Sequence, residues 1–159
     1  MRKIMINQTA ENTPFSDLNF LDLEHLAQVE FTSECQEHPV ESALLVTEDS
    51  GPGWQAASAG EQTIRLVFDQ PRTIEHIFLM FDEQQQSRTQ EFVLLWLMDK
   101  ENIYREILRQ QYHFSPPNTT REIEHYEVRL NQLKVLELRI MPDIGGGEAC
   151  AGLKQLRLA

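Results

Sequence analysis

Positive charge is scarce in this chain: 14 Lys and Arg stand against 25 Asp and Glu, for a formal net charge of −11 at pH 7 and a pI near 4.8. A nonspecific grip on phosphate backbones or on an anionic membrane surface needs clustered cations, so neither nucleic acid nor membrane is an expected partner. Cysteine is scarcer still. Cys35 and Cys150 are the only two, too few for a disulfide framework or for a structural zinc site of their own. His25, His38, His76, His113 and His125 show no ligand spacing with them, and no metal is read from these residues. Long hydrophobic runs are missing too. Arg2 and Lys3 are followed by Asn7, Gln8, Glu11 and Asn12, without the apolar stretch of a signal peptide or a membrane span. The expected location is the cytoplasm, where both thiols stay reduced.

Recognisable catalytic patterns are lacking as well. Gly145-Gly146-Gly147 lies between two strand-like segments with no Lys-Ser/Thr behind it, and reads as a flexible turn rather than a phosphate cradle. Ser42 and Ser58 lack the flanking glycines of a nucleophile elbow. Carboxylates are so plentiful that some pair would always resemble a glycosidase dyad, which removes the value of that signal. No enzyme is expected, and a hydrolase is the outsider.

Periodicity is what the chain does have. Segments of β type run over Ala27 to Ser33, Gln62 to Phe68, Thr73 to Phe81, Gln90 to Met98, Ile103 to Tyr112, Arg121 to Leu130, Lys134 to Met141 and Leu153 to Leu158. Ile64, Leu66 and Phe68 alternate with Arg65, Tyr126, Val128 and Leu130 with Glu127 and Arg129, and Leu136, Leu138 and Ile140 with Glu137 and Arg139, giving each segment a wet face and a dry one. Phe78 to Phe81 and Phe92 to Met98 are nearly continuous in apolar side chains, the mark of central strands. A length of 159 residues fits one domain with a core that needs no staple. Residues 20–159 form its body, and residues 1–19 are an N-terminal arm or an extra strand.

The connections alternate in character. Asp69 to Arg72, Asp99 to Asn102 and Asn131 to Leu133 are short turns. Glu34 to Glu61, Asp82 to Thr89, His113 to Thr120 and Pro142 to Gly152 are long and rich in polar residues, Pro and Gly. In strands that run up and down, alternate connections fall at the same end, so the long loops are expected to converge on one surface.

Ala27 to Ser33, then Glu34, His38-Pro39, Glu41-Ser42-Ala43-Leu44, an acidic turn, Trp54 and Gln62-Thr63-Ile64-Arg65-Leu66 resemble the opening of the discoidin or coagulation-factor type C family. Ile74 to Phe81, Phe92 to Asp99, Leu136 to Ile140 and Ala151 to Leu158 match its later strands. The resemblance implies an all-β fold, an antiparallel jelly-roll β-sandwich of the galactose-binding-like kind with about eight strands. It also implies a noncatalytic binding module whose loops at one end hold a carbohydrate, another small polar ligand or a protein. One intracellular member, the N-terminal domain of a DNA-strand-break repair scaffold, works through protein contacts, so a cytoplasmic protein-interaction domain is the alternative. The family's acidic loop carries Asp-Gly and later Thr-x-Trp; here Glu48-Asp49-Ser50-Gly51-Pro52-Gly53-Trp54 is shorter and lacks the threonine. Gln155 stands where many members place a calcium-supporting Glu, so no cofactor is expected, and a structural calcium is left open only without that ligand.

The expected ligand residues are Arg88, Tyr112, His113, Asn118 and Arg121. Tyr112, His113 and Phe114 are consecutive and cannot all point inward, which leaves a ring for stacking or a cap on the sandwich edge. Arg88 and Arg121 flank the loop surface and either fork onto a ligand or pair with nearby carboxylates such as Glu91, Glu122 or Glu124. Gln84 and Gln90 are further polar candidates. Trp54 either stacks on a sugar or packs beneath its loop, and Trp96 belongs to the core.

Overall fold

The computed structural model describes residues 18–46 and 51–159. Most of the expected N-terminal arm, residues 1–17, and residues 47–50 of the acidic loop lie outside the described residues. The described elements are α1 (Leu23–Leu26), β1 (Ala27–Phe31), α2 (Glu41–Leu44), β2 (Trp54–Ala59), β3 (Gln62–Asp82), β4 (Arg88–Met98), β5 (Arg105–Phe114), β6 (Arg121–Met141), β7 (Cys150–Leu153) and β8 (Gln155–Leu158).

β3 and β6 make the frame. They pair antiparallel along their whole length, from Gln62 opposite Ile140 to Asp82 opposite Arg121, with register breaks between Val67 and His76. A straight strand would carry Phe81 about 60 Å from Gln62. Yet the Phe81 ring lies 5.2 Å from Phe92, and Phe92 pairs with the Ile140 that faces Gln62. The ribbon is therefore folded over on itself. Its first half joins β1, β4 and β5 in a five-stranded face ordered β1-β3-β6-β4-β5, and its second half joins β8 in a three-stranded face. β2 and β7 form a separate two-stranded sheet.

This corrects one expectation in detail. Asp69 to Arg72 and Asn131 to Leu133 are bends inside two continuous strands rather than turns between separate ones. The bend in β6 uses Gln132, a non-glycine residue in left-handed backbone at φ 59°, which redirects the chain without breaking its pairing. The strand expected over Ile103 to Tyr112 runs instead over Arg105–Phe114.

Apolar alternation fills the space between the faces. Ile64, Leu66 and Phe68 from the first half of β3 and Ile77, Leu79 and Phe81 from the second are all buried, as are Phe92, Leu94, Leu136, Leu138 and Ile140. Each such side chain contributes about 1.5–3 kcal/mol relative to exposure. Among the described residues β5 pairs only with β4. Its surface is charged: Arg109 reaches Glu91 at 3.3 Å and Glu106 at 3.0 Å, and Arg105 reaches Glu101 at 3.2 Å.

Candidate functional site

Cross-connections show which loops share an end. Glu83 donates its N–H to Thr120 O at 2.8 Å, and Ile144 donates to Thr89 O at 2.9 Å. Lys154 donates its ammonium to Gly51 O at 2.7 Å. The long connections after β3, β5 and β6 thus meet, as strand parity requires, and the connection after β1 joins them through Lys154 and the cavity it shares with Asp82 to Gln86. At the other end Asp99 donates to Gln132 O at 2.8 Å, joining two of the short connections.

A cavity of about 300 Å³ opens at the loop end. His38, Pro52, Trp54 and Gln55 form one wall, the run from Asp82 to Gln86 with Arg88 another, and Cys150 with Gly152, Leu153 and Lys154 the third. Close backbone approach shapes it. Gly53 sits at φ 80°, and a Cβ there would lie 2.9 Å from Leu153 O, so only glycine lets the two segments touch. Ser42 Oγ holds that glycine by accepting its N–H at 2.9 Å.

Trp54 packs beneath its loop. It is 2% exposed, and its Nε1 donates to Ser33 O at 3.0 Å. Only its border reaches the cavity, so ring stacking on a sugar is not its role. Trp96 is half-buried and packs against the core.

Arg88 is also part of the framework: of the two readings it takes the carboxylate pair, with Glu83 rather than Glu91, Glu122 or Glu124. Its side chain is 2% exposed. Nε donates to Glu83 Oε1 at 2.6 Å, and Nη1 donates to Pro142 O at 2.7 Å and Gln90 Oε1 at 3.2 Å. The guanidinium lies 4.7 Å above the Phe114 ring. One side chain therefore clamps three connections. Burial pushes the Glu83 carboxyl up, but the Arg88 contact and the Gln85 N–H outweigh it and leave the carboxyl below its ordinary value.

The other expected residues gather beside the cavity without lining it. Tyr112 donates its hydroxyl to Arg121 O at 2.8 Å and meets Phe114 edge-on at 5.1 Å. His113 is exposed, with Nδ1 2.8 Å from Thr89 Oγ1. Asn118 is exposed on the tight turn after β5 and donates its N–H to Ser115 O at 2.9 Å. Arg121, whose side chain is 48% exposed, forks onto Asp82 at 2.6 and 3.0 Å; that contact raises its pKa. Both arginines thus have carboxylate partners, and those partners are Glu83 and Asp82.

Sequence reasoning named Gln84 as a polar candidate but missed His38, Gln55, Gln85, Gln86 and Lys154 as lining residues. Each becomes a lining residue only because another connection folds against it. The one available signal was the Gly53-Trp54 pair, a glycine followed by a buried ring at the loop end.

Behind the cavity a polar seam enters the sandwich. Gln90 Nε2 donates to Glu122 Oε1 at 3.2 Å, and the Tyr126 hydroxyl donates to Glu124 Oε2 at 3.0 Å. Glu122 is fully buried, and its Oε2 has no donor. Burial, then the Glu124 carboxyl nearby, push the Glu122 carboxyl up to about 8. A proton on Glu122 resolves both facts, because the orphan acceptor then becomes a donor toward Glu124.

No protein-family model matches the sequence, and no curated protein sequence matches it. Solved structures do match. The family 32 CBM from C. perfringens NanJ, in complex with galactose, superposes with a TM-score of 0.63 at 11% identity, over 87% of this chain and 96% of that one. CpGH89CBM32-5 from Clostridium perfringens, in complex with GalNAc-β-1,3-galactose, gives 0.64 at 15% identity, over 88% and 99%. The fold is the galactose-binding-like β-sandwich. Reduced XRCC1 bound to the catalytic domain of DNA polymerase β shares that sandwich, at 0.58 and 16% identity over 84% and 95%. At such identities it is the galactose-binding-like architecture, not the ligand, that the likeness establishes.

Proposed function

We propose that this chain is a noncatalytic binding module of the discoidin type, and that it holds a neutral carbohydrate in the loop-end cavity. The cavity carries this reading. Asp82, Glu83, Gln55, Gln84 and Gln85 offer acceptors, His38 and Lys154 offer donors, and Pro52 and Leu153 offer apolar edges. A ligand dense in hydroxyls needs such a mixed set, and the volume lies at the small end of small-molecule pockets, which suits one or two sugar rings. Neutrality rests on the ion pairs. Arg88 is matched by Glu83 and Arg121 by Asp82, so an anionic sugar would meet acidic walls whose guanidiniums are already engaged. Two fold neighbours in complex with galactose-containing sugars support the same ligand class.

A protein-interaction role is the second reading, favoured by the likeness to XRCC1 bound to a polymerase domain.

Amide-resolved NMR titration with galactose, GalNAc-β-1,3-galactose and galacturonic acid tests the proposal. Neutral sugars should shift His38, Gln84, Gln85 and Lys154 with little response to the acid, and Lys154→Ala should weaken binding roughly tenfold, the size of one charged hydrogen bond. Shifts confined to the sheet faces, or a preference for the acid, would overturn it.

A further inference from the structure

On the outer face of the three-stranded sheet, two imidazoles and a carboxylate come together. His76 Nδ1 lies 3.0 Å from His125 Nε2, and a Glu127 carboxylate oxygen lies within 4.8 Å of a nitrogen of each. Register produces the cluster: His76 pairs with Glu127 and Phe78 with His125 across β3 and β6, so the three side chains leave one face within two positions. The surroundings fix the rings. His125 stacks on Phe78 at 4.3 Å and 8°, and Phe20 meets Phe78 edge-on at 5.2 Å.

We propose that His76, His125 and Glu127 form a binding site for a divalent transition-metal ion of the zinc class. Imidazole nitrogens suit Zn²⁺, Co²⁺, Ni²⁺ and Cu²⁺, whereas Ca²⁺ takes oxygen ligands. With metal–nitrogen bonds of about 2.0–2.1 Å, neighbouring donors in a tetrahedral site stand about 3.3 Å apart. The two nitrogens are already within a few tenths of that spacing. Glu127 is exposed, so its carboxylate closes the remaining distance without disturbing any packing. At 3.0 Å the two nitrogens share one proton, one ring donating and the other accepting. A metal ion takes the place of that proton, which passes through solvent to the other nitrogen of the ring that carried it, so both rings stay neutral imidazoles and both facing lone pairs coordinate. Three protein donors leave one position for water. The other nearby cluster, Asp22, Glu24 and His25, is wholly exposed and has a single imidazole. His76 lies six residues before Asp82 on β3, roughly 20 Å along the strand, so this site is independent of the loop-end cavity.

The test uses tag-free, metal-stripped protein. Titration with Co²⁺ should give the visible absorption of a nitrogen-ligated ion saturating at one equivalent, and calorimetry should show Zn²⁺ binding there and no Ca²⁺ binding. His76→Asn and Glu127→Gln should each weaken Zn²⁺ binding at least ~10-fold, since loss of an outer hydrogen-bond partner alone costs that much. Glu127→Gln alters an exposed side chain and keeps its size, so it reports on the site even if a histidine variant fails to fold. Absence of a stoichiometric Co²⁺ spectrum, unchanged Zn²⁺ affinity in Glu127→Gln, or loss of binding in His25→Asn instead would overturn the proposal.

Discussion

The interior between the two faces changes character from one end to the other. Toward the short connections it is closed by Leu66, Phe68, Ile74, Leu133 and Leu136; toward the long loops Arg88, Gln90 and Glu122 are buried just as deeply. Apolar burial holds the first region together without needing any particular partner. The second is held by directional contacts whose removal strands a charge or a donor. The first end is held by apolar burial alone; the loop end adds directional contacts to buried rings of its own, Phe81, Phe92 and Phe114.

Substitutions in the two regions should therefore differ in kind. Phe68→Ala in the apolar end should destabilise the protein by about 3–5 kcal/mol, measured by denaturant unfolding, while an unfolded fraction small enough to work with still leaves cavity binding intact. Arg88→Ala should cost about 2–4 kcal/mol because Glu83 and the Pro142 carbonyl lose their partner, and Arg88→Lys should not restore it, since an ammonium cannot reproduce the fork. If Arg88→Ala proves neutral, the clamp is decorative and the contrast between the regions fails.

Glu122→Gln should act in the opposite direction. Below about pH 4.5 the carboxyl is protonated in both folded and unfolded chains; as pH rises toward about 8, the unfolded chain releases its proton while the folded one keeps it, so stability is lost through that window. The amide keeps the Gln90 contact and supplies a permanent donor. It should stabilise the protein at pH 8 by about 1–3 kcal/mol and flatten the fall in melting temperature between pH 5 and 8. Smallest of all, Arg121→Ala should change stability by less than about 1 kcal/mol, because its pair with Asp82 is half exposed to water and salt.

The strands were legible because alternation is a local property: Ile64, Leu66 and Phe68 declare an inward face without reference to the rest of the chain. The convergence of the loops was legible from parity. Continuity of β3 through Gln70 and Pro71 was not, because it depends on β6 bending at the same place. A carboxylate pair was legible for Arg88, but not its burial, because the Pro142 carbonyl it also holds lies 54 positions away. The His76–His125 pair is invisible to spacing rules, because strand pairing across β3 and β6, not sequence distance, brings it together.

β5 has one more consequence. Among the described residues it is paired on one side only, and such a strand presents open amides and carbonyls to any second molecule. Here both signs of charge stand along it, in Arg105, Glu106 and Arg109, so a second copy must avoid the registers that set like charges against each other. Salt screens that deterrent, with a Debye length of about 10 Å at 0.1 M and about 3 Å at 1 M. Concentrated stocks should therefore stay clear at low ionic strength and scatter light increasingly as salt is added, the reverse of the usual remedy for a sticky protein.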